Sequence, residues 1–222
     1  MSQAEESRVV ADAVRRTYAE SGVPWPPSGG GPVPLHLLIG DRGATHVEVA
    51  GLNHAAVSAH LWQWGVRWSE IPDPDPKLAG FLYANAHAGY IFVRKEDPMP
   101  RRRFSAAHEL GHLVLHLDKA LQDAGPDAEL VRGDEALHDA GEPDPDAMER
   151  QANRFAAELL MPEEVCRALS GRFTRRYGPT GRFLVHHIAS ELLVSREAAA
   201  WRLYGLGLAA RPGPRTDFGD DS

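Results

Sequence analysis

The stretch FSAAHELGHLVLH, residues 104–116, places three histidines and a glutamate inside an otherwise apolar run. On a helix each residue turns the chain by about 100°, so positions i and i+4 share a face. His108 and His112 therefore project together. Leu110, Leu113, Val114, Leu115 and Leu117 spread over most of the remaining circumference, which predicts a helix buried on nearly all sides. Buried polar groups without partners are costly, so two imidazoles and a carboxylate in such a helix require a strong one. A cation gripped by both imidazoles is that partner. His-Glu-x-x-His is the zinc-peptidase signature, in which the glutamate, here Glu109, binds no metal and takes a proton from the attacking water. His116, one turn beyond His112, reads as a histidine near a helix C-terminus, favoured by the helix dipole. Asp118 does not fit as a third ligand. It would need the chain to reverse after His112, usually at a glycine, and Leu115 stands there.

The third ligand is expected from MERQANRFAAELLMP, residues 148–162. With Glu149 set at zero on a helical wheel, Met148, Ala152, Phe155, Ala156, Leu159 and Leu160 fall on or beside its side. Arg150, Gln151, Arg154 and Glu158 fall opposite. Glu149 and Asn153 are thus two polar groups, one turn apart, on the face that should be buried. Glu149 would complete a His–His–Glu zinc site with an open fourth position. Asn153 would accept a hydrogen bond from the outer ring nitrogen of a ligating histidine. The competing reading is a buried pair between Glu149 and an arginine of 101–103. Glu158, half a turn out of phase, is expected in solvent as an i,i+4 partner of Arg154.

The rest of the chain sets the frame. Its 222 residues, 43% hydrophobic, suffice for one sizeable core with a small appendage. The net charge of −7 does not suggest a nucleic-acid binder. Most of it is local: ten acids against two bases between 118 and 147 carry −8, so the remainder carries about +1. Cys166 is the single cysteine, which excludes an intramolecular disulfide and suits a reducing cytoplasm; it reads as an inert thiol. The opening MSQAEESRVV is no secretory signal, and no apolar run reaches transmembrane length.

Residues 4–20 predict an amphipathic helix through Val9, Val10, Ala13, Val14 and Tyr18. Proline and glycine make 22–34 a linker or surface wrap. Residues 35–50 read as short strand material, 54–68 as a helix and 77–95 as a β-hairpin turning between Asn85 and Gly89. The acidic stretch 118–146 reads as a long loop with room for one short helix, 181–209 as two helices around Val194–Ser195, and the tail as disordered. The expected division is a helix and linker (1–34), a catalytic domain (35–209) ending in the helical pair, and a tail (210–222). The expected class is α+β, mostly helical with a small antiparallel sheet.

On RRRFSAAHELGHLVLH (101–116) and ERQANRFAAELLMP (149–162), the sequence resembles the ImmA/IrrE family of metallopeptidases. The hairpin LAGFLYANAHAGYIFV and the downstream IASELLVSREAAAWRLYGLGL are also similar, and the likeness covers roughly residues 54–208. It implies a zincin-like domain, Zn²⁺ on His108, His112 and Glu149, and Glu109 as catalytic base. It also implies a cytoplasmic zinc endopeptidase that cleaves a helix-turn-helix (XRE-type) repressor in a stress or mobile-element response. By this likeness the acidic stretch is long, and the first 50 residues have no clear counterpart.

Two rival readings are a DNA-binding regulator, using 184–205 as a helix-turn-helix with Arg196 and Arg202, and a protein-binding module with structural zinc. Three ligands beside a base favour an open catalytic site over a closed structural one. Tyr83, Tyr90, His186 and His187 are chemically able to stabilise an oxyanion, and sequence does not choose among them. The strand before the active-site helix is expected to pair with an extended substrate.

Overall fold

Apolar side chains at helical spacing bury one side of α1 (Gln3–Ser21): Val10, Ala13, Val14 and Tyr18 are all within the main core. The computed structural model describes residues 3–25, 31–68, 70–85, 87–117, 129–133, 145–178 and 181–213. Val9, expected on the buried side of α1, is 46% exposed. It precedes Val10 by one position, a 100° step that carries it past the edge of the stripe. The following 35–41 segment is not strand but a short helix, α2 (Leu35–Asp41), burying Leu35, Leu38 and Ile39. A brief apolar run has no clear period, and packing against its neighbours decides it. Gly43, at φ +66, then reverses the chain into β1 (Ala44–Val49).

After α3 (His54–Gln63) comes the hairpin β2 (Gly80–Asn85) and β3 (Gly89–Arg94). Its turn is held by Asn85 Oδ1, which accepts from the backbone N–H groups of His87 and Ala88 at 2.9 and 2.8 Å. A fourth strand, β4 (Glu129–Gly133), lies inside the segment expected to be loop and pairs with β2. The sheet order is β1-β3-β2-β4. The expected antiparallel sheet is therefore mixed: β1 runs parallel to β3, and the other pairs are antiparallel. The crossover through α3 and β2 is long enough to return the chain in the same direction. Alternate residues serve two cores. Leu82, Ala84, Ile91 and Val93 join the main core with α4 (Met99–His112), while Phe81, Tyr83 and Phe92 join a second cluster with Val57 and Leu61 of α3.

The remaining helices among the described residues are α5 (Pro145–Leu160), α6 (Glu163–Tyr177), α7 (Gly181–Leu192) and α8 (Arg196–Gly205). Ser195 caps α8, its hydroxyl accepting from the Ala198 N–H at 3.1 Å. Ile188, Leu192, Val194, Ala199 and Leu203 put this helical pair into the main core. α1 does the same from the other end: the Tyr18 hydroxyl donates to the Leu159 carbonyl at 3.0 Å. Gln151 and Arg154 of α5 donate to Glu6 and Ser7. Gln151 and Arg154, which a helical wheel assigns to solvent, are thereby half-buried, while Arg150 is exposed and so is Asn153, expected on the buried face: it lies at that face's open rim. The architecture is α+β and zincin-like, and no helix among the described residues is long and apolar enough to cross a membrane. The rest of the acidic stretch and residues 214–222 of the expected tail lie outside the described residues.

Candidate metal centre

α4 starts behind Pro98 and buries every residue from Ala106 to His112. It does not stop at His112 but widens into π-helical turns over Leu113–Leu117, an irregularity common beside functional sites. The chain thus stays helical through Leu115, as the absence of a glycine there predicts; Asp118 lies outside the described residues. One turn on from His112, the ring of His116 stands 5.5 Å from that of His112, centroid to centroid.

His108 and His112, the latter 2% exposed, bring their Nε2 atoms within 3.0 Å of each other. Glu149 reaches across from α5, with Oε1 3.1 Å from His112 Nε2 and Oε2 3.3 Å from His108 Nε2. No other group of metal-capable side chains is found among the described residues. Two imidazole nitrogens and a carboxylate are a fitting donor set for zinc. For bonds of about 2.0–2.1 Å at tetrahedral angles, donors should stand about 3.3 Å apart. The two imidazoles stand 3.0 Å apart, and each has one oxygen of the Glu149 carboxylate at 3.1 or 3.3 Å, close to that spacing. The imidazoles of His108 and His112 beside it hold the Glu149 carboxyl well below the usual carboxylate range.

Asn153, one turn after Glu149, places Oδ1 3.2 Å from His108 Nδ1. A carbonyl oxygen only accepts, so Nδ1 carries the proton and Nε2 turns its lone pair to the other donors. The competing pairing of Glu149 with arginine does not occur. Arg101 pairs with Asp97, Arg102 with Glu48, and Arg103 donates to the Val33 carbonyl. Glu109, 2% exposed, stays outside the donor triangle; its carboxylate lies against Gly80, the first residue of β2. Gly111 is what lets α5 come so close. A Cβ there would sit 3.2 Å from the Ala152 Cα and 3.1 Å from Phe155 Cδ1.

Several expectations change. Glu158 is not a solvated partner of Arg154: it binds Arg202 of α8, with both side chains less than a fifth exposed, while Arg154 donates to Ser7. Tertiary packing of α8 and α1 on α5 decides this, and no helical wheel contains it. Arg202 also donates to the Met161 carbonyl at 3.0 Å, so it faces the fold and not a nucleic acid. The four candidate oxyanion donors are not brought to the triangle. Tyr83 and Tyr90 lie on the sheet face away from α4, Tyr90 packs against Trp64, and His187 packs on Phe173 while His186 is exposed. β3, expected to bind substrate, is flanked by β1 and β2 and has no free edge. Gly80 and Gly111 were not singled out by sequence; their only signal is a glycine inside an otherwise apolar strand or helix. A cavity of about 960 Å³ between α1, α5 and α8 includes Asn153 in its lining but none of the donors.

A family model described as the IrrE N-terminal-like domain, a peptidase family, matches residues 63–204. The chain is 36% identical over 115 residues to the radiation response metalloprotease IrrE of Deinococcus radiodurans. That match covers 51% of this chain and 30% of the relative's length. The helix bearing His108, Glu109 and His112 and the helix bearing Glu149 both lie inside the matched span. On that match, the chain belongs to the family of the IrrE N-terminal-like domain.

Proposed function

We propose that the protein is a zinc-dependent endopeptidase in which His108, His112 and Glu149 hold the metal and Glu109 is the general base. The observation that carries this reading is the cluster of His108, His112 and Glu149, with the two Nε2 atoms 3.0 Å apart and one Glu149 oxygen within 3.1–3.3 Å of each, beside the buried carboxylate of Glu109. Bound zinc supplies polarisation of the scissile carbonyl and of water. Asn153 fixes the tautomer of His108, and the Glu149 anion offsets part of the metal's charge. Glu109 takes the proton from water as its oxygen adds to the carbonyl carbon. It then delivers that proton to the leaving nitrogen as the C–N bond breaks. Burial of Glu109 keeps bulk water from competing for the proton.

The substrate is a protein, and the reading extends to a DNA-binding repressor of the helix-turn-helix type cut in a cytoplasmic stress or mobile-element response. Two features support this: the relative's name refers to a radiation response, and the stretch around β4 carries a charge of −8 suited to a basic partner. An extended substrate adds to the sheet at an edge, since β3 is paired on both sides. The working unit is the packed body from α1 to α8. The structural-zinc and DNA-binding readings are less well supported, because the triangle has three donors beside a base and Arg202 is held by Glu158.

The test is a tagged Glu109→Gln variant. It should keep zinc and fold, lose proteolysis, and co-purify with an uncut protein that the wild type cleaves. Cleavage by the variant at a rate near wild type would end the peptidase reading. Capture of a substrate with no DNA-binding helix-turn-helix would end the repressor reading alone.

A further inference from the structure

Gly80 opens β2 with a backbone that lies outside the left-handed region, so its conformation does not call for glycine. Neither does the sheet, where a side chain at a strand position normally adds packing. What does call for it is Glu109. A Cβ on Gly80 would stand 2.5 Å from Glu109 Oε1 and 3.3 Å from both Cδ and Cγ. Glu109 is 2% exposed and belongs to a helix buried on both flanks, so its carboxylate has no solvent to swing into.

We propose that Gly80 is a positioning residue for the general base: its missing side chain forms the slot on β2 in which the Glu109 carboxylate is held. This rests on the reading of Glu109 as the base. The slot works through contact distance. Non-bonded atoms settle about 3.5 Å apart, so a methyl at 2.5 Å displaces the carboxylate by the better part of an ångström. A misplacement of about 1 Å costs about a hundredfold in rate. The three atoms nearest to that Cβ all belong to Glu109, so the collision falls on the base before any metal donor.

The test is a thermal-unfolding cycle on metal-free protein, with Gly80→Ala introduced into wild type and into Glu109→Ala. In wild type the substitution should lower Tm by about 3 °C or more, the scale of a moderate overpacking in a chain of this size. In Glu109→Ala the methyl has room, and alanine in a strand costs less entropy than glycine, so Tm should hold or rise. If Gly80→Ala alone fails to fold while the double variant folds, the slot is equally supported. With cobalt(II) bound instead of zinc, Gly80→Ala should still load one metal per chain but shift the visible absorption band, because the neighbouring carboxylate has moved. An equal loss of Tm in both backgrounds, failure of both variants to fold, or an unmoved cobalt band overturns the proposal. If the cycle holds while Glu109→Gln still cleaves substrate, the slot stands and the assignment of the base falls.

Discussion

Gly111→Ala is the sharpest probe of how the two helices that carry the candidate donors meet. The added methyl would stand 3.1 Å from Phe155 Cδ1, 3.2 Å from Phe155 Cβ and 3.2 Å from the Ala152 Cα. Comfortable carbon contacts are about 3.5–4.0 Å, so α4 and α5 must separate by roughly half an ångström. Phe155 can turn aside, but Ala152 Cα is backbone and cannot. Ala152 is three residues from Glu149 on the same helix, so most of that movement passes to the carboxylate. The distances from Glu149 Oε1 to His112 and from Oε2 to His108, now 3.1 and 3.3 Å, would lengthen while the 3.0 Å separation of the histidines stays. Folding free energy should change little. Alanine gains about 1 kcal/mol over glycine inside a helix, and overpacking costs about 1–3 kcal/mol. Zinc affinity should fall by about tenfold or more, the usual cost of disturbing a ligand's placement. A competition titration against a chromogenic chelator measures the affinity, and thermal unfolding in excess chelator measures the fold. Affinity within twofold of wild type would show that the helix spacing does not set the site. A large loss of stability with unchanged zinc binding would refute the balance of terms.

Glu149→Ala should lose zinc binding by metal analysis, whereas Glu158→Ala should keep one zinc per chain but lose about 1–3 kcal/mol in denaturant unfolding, since Arg202 is left half-served in a poorly solvated place. Retention of zinc by the first variant would reverse the assignment of the helix face. Asn153→Ala should weaken zinc by about tenfold with little change in Tm, because His108 loses the acceptor that orients its ring. Burial pushes the Cys166 thiol up to about 11, so it is protonated at pH 8 and should resist a thiol reagent until the protein unfolds; rapid modification of the native state would contradict its packing.

Local pattern determined which side chains could be brought together as candidate metal donors. The i,i+4 spacing of His108 and His112 and the apolar neighbours of Glu149 depend only on helical geometry, which a sequence carries in full. The same holds for Asn153, for the hairpin with its Asn85 turn, and for the capped α8. Elements whose identity depends on neighbours were not legible in this way. LHLLIGD has no period strong enough to choose helix over strand, and β4 exists only because β2 offers an edge to pair with. The parallel pairing of β1 with β3 comes from a crossover that the chain order permits but does not dictate. Glu158 shows the limit most plainly. The helical wheel rightly turned it away from the donors, yet its partner is Arg202, forty-four residues on, and the side it occupies is covered by α1 and α8. Gly80 and Gly111 belong to the same class. A sequence records which face a residue takes on its own helix or strand, but contact distances between elements exist only once those elements are packed.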